Sequence, residues 1–438
     1  MKILAGFLVM GFLLSMVSPA GAEFARMVPQ RQDPVESASR TLSQSLAAQR
    51  ADQAEQMRLR SVELAKIQQI AFSTTLQTVL GQGSLNWLSN QDNPQITGIQ
   101  PISGRSGLLV SYNVPSGDSL SFLTGRSFTY DDAVGAVSFV LQGQSADAKS
   151  VLLALQRLLS PGGTIGFSYQ VNSTWLDGRT RTGTLAWVGY AMVFYQRQTG
   201  DSTFQSSAES IAGYLKTLQL SSGSLKGGPD VNWVSTEHNI DAYFFFRELY
   251  RVTGKATYQT TANKIKTSLL NNHWVKTGNT GHFLQGIGDS TPALDANSWG
   301  AVFLWAVGKN AQASQALQYV EANFKTTQTL SGSTTQVTGY APDSAKKTVW
   351  LEGTLGVATA YQRLGQASTA GGILDQITQV QATWQSQGKW HGALPYAVKR
   401  YTNFDGDTFS DLESVASTGW LLVAQSVRTG SSGFWDHD

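Results

Sequence analysis

The densest group of side chains able to do chemistry is the run Ser235-Thr236-Glu237-His238-Asn239-Ile240-Asp241. Glu237 and Asp241 stand four residues apart, so a helix would present both carboxyls on one face. Two carboxyls in a partly closed space cannot both ionise freely. One would hold its proton near neutral pH while the other carries the charge, the division of labour that acid–base catalysis needs. The plain alternative is a capped helix start, with Ser235 or Thr236 as the cap and Glu237 favoured by the helix dipole. That alternative leaves His238 and Asn239 unexplained, and the apolar Tyr243-Phe244-Phe245-Phe246 that follows must be buried.

Two further acidic groups have the same character. In Trp350-Leu351-Glu352-Gly353-Thr354 an acid stands between an aromatic residue and a glycine that lets another group approach. In Tyr130-Asp131-Asp132 two carboxyls are adjacent. Neighbouring residues on a helix diverge, so one of these two at most would face a shared cavity. Asp295, Asn297 and Trp299 form a weaker group, equally readable as a cap and a core tryptophan. The catalytic candidates are therefore Glu237, Glu352, Asp131 and Asp132. Tyr130, Trp187, Tyr190, Trp233, His238, Asn239, Asp241, Asp295, Trp299 and Trp350 are candidates to line a binding site. The stretch Asn403 to Asp411 alternates oxygen donors but lacks a full calcium-loop pattern and reads as a polar turn. The five histidines have no metal-ligand spacing, and neither a nucleophile elbow nor a phosphate loop occurs. No metal or other cofactor is expected.

The elements that must position these groups repeat. With Asp132, Thr184, Glu237, Asp295, Glu352 and Glu413 as anchors, the steps are 52, 53, 58, 57 and 61 residues. Such a period marks stacked supersecondary units, none able to bury its own apolar face. Each unit reads as a helical hairpin: 131–141 with 146–159, 184–198 with 202–218, 236–251 with 256–270, 296–307 with 311–323, and 352–364 with 367–381. Thr199-Gly200-Asp201 and Val252-Thr253-Gly254 are turns, glycine accepting the left-handed conformation that ends a helix. A sixth first helix covers 411–427, and the amphipathic run at 62–80 is its expected partner. Residues 82–128 carry many breakers and read as extended segments and loops. First helices are rich in Gly and Ala, which allows close approach in an inner wall. Second helices, such as the one with Ala208, Ile211, Ala212 and Leu215, are amphipathic and suit an outer ring.

Composition narrows the class. Lys2, the apolar stretch from Ile3 to Val17 and Ala20-Gly21-Ala22 read as a cleavable leader, 1–22, too short to span a bilayer. The mature chain of about 416 residues would be exported, periplasmic or extracellular, without stable membrane insertion. A polar tail follows over 23–60, then an N-terminal segment over 61–128 and the main domain over 129–430. Net charge is +2 with no basic run, which argues against nucleic acid. With no cysteine there is no thiol nucleophile and no disulfide framework. The 12 Trp and 14 Tyr in so weakly charged a chain fit stacking on sugars as well as an ordinary core.

On the motifs Tyr130-Asp131-Asp132-Ala133, Thr236 to Tyr243, Trp350 to Thr354 and Leu394-Pro395-Tyr396-Ala397, residues 129–430 resemble the six-hairpin glycosidase superfamily. That resemblance implies an all-α (α/α)6 toroid acting on a polysaccharide or oligosaccharide. It implies Glu237 as general acid and one of Asp131, Asp132 or Glu352 as the base in an inverting hydrolysis. A non-catalytic saccharide-binding or envelope-assembly component is the alternative reading. A polysaccharide lyase is another; it needs a cation near a uronate, for which Arg179 and Arg181 are the nearest candidates.

Overall fold

The computed structural model describes residues 81–438, apart from 279, 390, 391, 404, 405, 429, 431, 432 and 438, together with Ala51 and Met57. The chain divides into two compact units, Met1–Gln69 and Ile70–Asp438. The expected leader, nearly all of the polar tail and the 62–80 helix lie outside the described residues.

Hairpin follows hairpin as the repeat requires. The first helices are α1 (Thr129–Leu141), α3 (Thr182–Thr199), α5 (Thr236–Thr253), α7 (Leu294–Ala306), α9 (Leu351–Arg363) and α11 (Val415–Arg428). Each packs on the next, and α11 packs back on α1, so the wall closes into a circle. The second helices are α2 (Ser145–Leu158), α4 (Gln205–Thr217), α6 (Ala256–Ser268), α8 (Asn310–Phe324) and α10 (Ala367–Ser386), each lying against its own first helix. The fold is an (α/α)6 toroid. Its inner helices are buried nearly all round, whereas α4 buries the single stripe Ser207, Ala208, Ile211, Ala212 and Leu215. Gly200 and Gly254 end α3 and α5 in the left-handed conformation, at φ 77° and 67°.

Small residues do in the inner wall what their spacing suggests. A Cβ on Gly189 would collide with the Phe245 ring, and one on Gly300 with the Phe283 ring. At Gly419 it would meet Val134 of the helix that closes the circle. Helix axes can therefore approach closely enough for neighbouring side chains to interlock.

Two expectations are corrected. Helix covers residues 81–88, where extended chain was expected; Ser84 Oγ donates to the Gly392 carbonyl and accepts from Gln381 of α10. The sixth inner helix starts at Val415, not Asp411. Glu413 belongs to the short strand β11 (Glu413–Ser414), paired with β1 (Tyr112–Asn113). Its carboxylate accepts from the Asn113 amide and the Trp384 indole, so this anchor fastens a strand and lies outside the helix start.

Short strands occupy the connections that lead into the inner helices. They are β2 (Arg126–Phe128) with β3 (Ser168–Gln170) and β4 (Leu176–Asp177), β5 (Trp274–Thr277) with β6 (Thr280–Phe283), β7 (Lys325–Thr329) with β8 (Gln336–Tyr340), and β9 (Tyr401–Thr402) with β10 (Thr408–Phe409). A common device ties the connections down. The fourth residue of five inner helices has a side-chain oxygen that accepts a backbone N–H from the segment before it. The pairs are Asp132 with Leu109 at 2.8 Å, Asn239 with Leu225 at 2.7 Å, Asn297 with Phe283 at 2.8 Å, Thr354 with Tyr340 at 3.0 Å, and Thr418 with Leu394 at 3.0 Å. Fixing the connection fixes the first turn of the helix, and the candidate acids Asp131, Glu237, Asp295 and Glu352 sit on those first turns.

Candidate active site

A cavity of about 660 Å³ opens where the inner helices start. The second helical residue faces it from α1, α3, α5, α7 and α9, contributing Tyr130, Gly183, Glu237, Asp295 and Glu352. One turn deeper, the sixth residue contributes Trp187, Asp241 and Trp299. Asp131 adds another carboxyl from α1. Acids spread over more than 220 residues of sequence thus converge because the helices close into a circle.

The carboxyls form two groups. On α5 and α7, Glu237 is hydrogen-bonded to Asp295, with Asp241 below. Burial above all, then the charges of Asp295, Asp241 and Glu352, hold the Glu237 carboxyl far above the usual carboxylate range. Its bond to Asp295 favours the proton on Glu237 and the charge on Asp295, which also accepts the Ala296 backbone N–H at 2.7 Å. On α1 and α9, the Tyr130 hydroxyl donates to Glu352 at 2.5 Å and accepts the Trp420 indole N–H at 2.9 Å. Burial pushes Glu352 up to about 8; the Tyr130 hydrogen bond opposes this, and the charges of Asp131 and Asp295 add to it. A Tyr396 hydroxyl also stabilises the ionised form. Burial lifts Asp131 to about 7 against a hydrogen bond from Ser111.

His238 lines the same wall, and Gly183 opposite leaves room for its imidazole. Burial, then the charge of Arg181, lowers its pKa to about 4, so the ring is neutral at physiological pH. No Lys or Arg lines the cavity among the described residues. Arg179 is paired with Asp177 and Arg181 with Asp230.

The structure separates the remaining candidates. Trp233 stands at the rim, 37 % exposed, and Trp350 lies in the wall against Tyr396 and Phe409. Trp187 and Trp299 form the floor, but aromatic neighbours cover them: Trp299 is stacked on Trp420 at 5.3 Å and Trp187 on Phe434 at 6.2 Å. They close the cavity and offer no free stacking platform. Three candidates lie outside it. Asp132 is fully buried, with its oxygens taken by the Leu109 N–H and the Ser127 hydroxyl. Asn239 clamps the Leu225 backbone through both ends of its amide. Tyr190 stacks on Phe194, and its hydroxyl accepts the Trp435 N–H. Each answers a buried backbone or core requirement, which the sequence spacing alone did not distinguish from a site role.

Several lining residues were not singled out from sequence. Tyr112, Phe128, Phe167 and Phe409 come from strands and connections without helical periodicity. Tyr396 lies in one of the motifs that carried the resemblance, and its aromatic-after-proline setting was the available signal. The 403–410 turn also reaches the cavity, through Asn403, Gly406, Asp407 and Thr408.

Comparison with known proteins bears on the fold. No family model and no curated protein sequence matches the chain. Solved structures do. One is a family 76 glycoside hydrolase, a mannosidase from Bacteroides thetaiotaomicron VPI-5482, at TM-score 0.55 and 12% identity, covering 79% of this chain and 99% of that one. Another is a D-mannose isomerase, at TM-score 0.55 and 12% identity, covering 82% and 98%. A glycosidase variant in complex with glucose aligns at TM-score 0.53 and 13% identity, covering 78% and 97%. The chain shares the toroid of these proteins over nearly their whole lengths. Since both hydrolysis and isomerisation occur among them, the site has to decide the reaction.

Proposed function

We propose that this protein is a glycoside hydrolase that cleaves an oligosaccharide or polysaccharide with inversion, Glu237 acting as general acid and Glu352 as general base. The observation that carries the reading is the contrast between these two carboxyls. Glu237 holds a proton against Asp295, whereas Glu352 accepts hydrogen bonds from the phenols of Tyr130 and Tyr396. They stand on α5 and α9, with α7 between them in the circle, and both line the cavity. An inverting pair needs roughly 6.5–9.5 Å between carboxyls for that water.

In the reaction Glu237 gives its proton to the glycosidic oxygen as the bond from that oxygen to the anomeric carbon breaks. Glu352 takes a proton from water as the water oxygen bonds to the anomeric carbon on the opposite face. Exchange with solvent returns both carboxyls to their starting states. Asp295 positions the Glu237 proton before transfer. Tyr130 positions Glu352.

The site disfavours a lyase. Elimination from a uronate needs a cation beside the substrate carboxylate, yet the lining holds seven carboxyls, and the nearest candidate arginines are engaged with Asp177 and Asp230. Isomerisation through a histidine base finds one candidate in the lining, His238. The same proposal includes export, on the strength of the leader-like residues 1–22.

The test is a polysaccharide and oligosaccharide panel with reducing-end readout and NMR of the first-formed anomer. Glu237→Gln and Glu352→Gln should each lower kcat by about 10³-fold or more, given what positioned acid–base groups and electrostatics contribute together. Retained hydrolysis in both variants would remove the assignment, and absence of cleavage by the parent protein across the panel would favour a non-catalytic saccharide binder.

A further inference from the structure

Below the acid–base level the cavity ends in a polar group with nothing to bond to. Asp241 is 3 % exposed, lines the cavity, and neither of its carboxyl oxygens reaches a hydrogen-bond partner. The Trp187 indole N–H favours the ionised form of Asp241 without reaching hydrogen-bond distance, and is itself buried and without a partner. A buried carboxyl without partners is costly to the fold. Two other buried acids in the toroid have both oxygens provided for, Asp132 by Leu109 and Ser127 and Glu248 by three arginines, and Asp131 leaves one oxygen unpaired where Asp241 leaves two.

The space beneath is shut. Phe434 and Trp435 fill the bore of the toroid, with Trp435 stacked on Phe244 at 4.5 Å and lying 5.4 Å from Trp187 and 6.0 Å from Trp299. Both are buried, at 0 % and 1 % exposure. Asp241 lies one turn further along α5 than Glu237, about 6 Å of rise, which is the depth of about one sugar ring. A saccharide whose scissile bond is held at Glu237 therefore places one ring at Asp241, and the chain can go no deeper.

We propose that Asp241 recognises the terminal sugar of a chain by accepting hydrogen bonds from two of its adjacent hydroxyls, which makes the enzyme act from chain ends. This rests on the hydrolase reading above and adds the substrate class, a neutral saccharide with a free diol at its end. Adjacent hydroxyls suit the site because each can donate to a carboxyl oxygen and still accept from the Trp187 N–H. An ammonium group would suit the carboxyl alone, since it has no acceptor for the indole. A uronate would add another negative charge to a lining that already holds seven carboxyls.

The experiment is calorimetric titration of the parent protein with D-glucose, D-mannose and D-galactose, repeated with Asp241→Asn and, in case the amide folds poorly, Asp241→Ser. At least one sugar should bind saturably to the parent, and both variants should bind it about 10- to 100-fold more weakly at a melting temperature no lower than the parent's, the effect of removing one buried acceptor. Binding that is equal in the variants, or absent for all three sugars, overturns the proposal. This arm needs no turnover, so it separates failure here from failure of the hydrolase assignment. On a substrate that is cleaved, early products should be of one short length with solution viscosity preserved. A rapid fall in viscosity with products of mixed length overturns action from chain ends.

Discussion

Glu352 carries the sharpest consequence at the scale of single residues. With its pKa pushed up to about 8 and that of Asp131 to about 7, the proposed base is only partly ionised at neutral pH. Activity should therefore rise with pH through the 7–8 range, a limb that a pH profile of kcat/KM reads directly. Tyr130→Phe removes a donor to the ionised form, so the limb should move to higher pH by about 1–2 units, the equivalent of a hydrogen bond to a charged group. An unmoved limb would assign the titration to another group. The same displacement acts on stability. An ordinary glutamate ionises near 4.3 in the unfolded chain, whereas Glu352 in the fold resists ionisation until about 8. The fold bears no penalty from it below the unfolded value, an increasing one between the two, and the full one above pH 8. Glu352→Gln should thus be inactive yet more stable by about 1–3 kcal/mol at pH 8, with the difference vanishing near pH 4 in denaturant melts.

The inner helix, with its fastened first turn, is the working element. Asn297 shows the logic: its amide oxygen accepts the Phe283 N–H at 2.8 Å, and its amide nitrogen donates to Phe283 and Ala293 carbonyls at 3.1 and 3.0 Å. Two residues before it stands Asp295, the partner of Glu237. Asn297→Ala leaves those backbone groups unpaired and should cost about 2–4 kcal/mol, with a loss of activity beyond what the stability loss explains. Close packing between inner helices is a separate property. Gly189→Ala drives a methyl into the Phe245 ring and should destabilise by about 1–3 kcal/mol while leaving the pH profile unchanged.

At the scale of the whole molecule, the segment 433–437 closes the toroid opposite the cavity mouth. Phe434 and Trp435 enter the bore, and Asp436 is held by Arg197 at 2.8 Å, Arg247 at 3.1 Å and Arg251 at 2.5 Å. The same arginines reach Glu248 of α5, which is completely buried. Arg363 adds a hydrogen bond to the Phe434 carbonyl. Removing the segment strips two aromatic rings from the core and leaves the arginine cluster short of one carboxylate. Truncation before Gly433 should lower the melting temperature sharply, and Trp435→Ala alone should cost about 3–5 kcal/mol. An unchanged melting curve for the truncated protein would show that the plug contributes nothing to folding.

Much of the architecture was legible in the amino-acid order, because local chemistry suffices for it. Apolar periodicity, the glycine stops at Gly200 and Gly254 and the regular step between polar helix starts identify the hairpins, and first-turn acids mark where reactive groups can stand. Side-chain direction was not legible. Asp131 and Asp132 are adjacent and chemically identical, yet one faces the cavity and the other clamps Leu109; Glu413 matches the anchor period and fastens a strand. Tertiary structure made those choices, because a buried carboxyl takes whichever unpaired N–H or hydroxyl the fold brings within reach, and that partner lies far off in sequence. Likewise the pairing of Glu237 with Asp295, the pairing of Glu352 with Tyr130, and the isolation of Asp241 above the aromatic plug exist only once six helices close their circle.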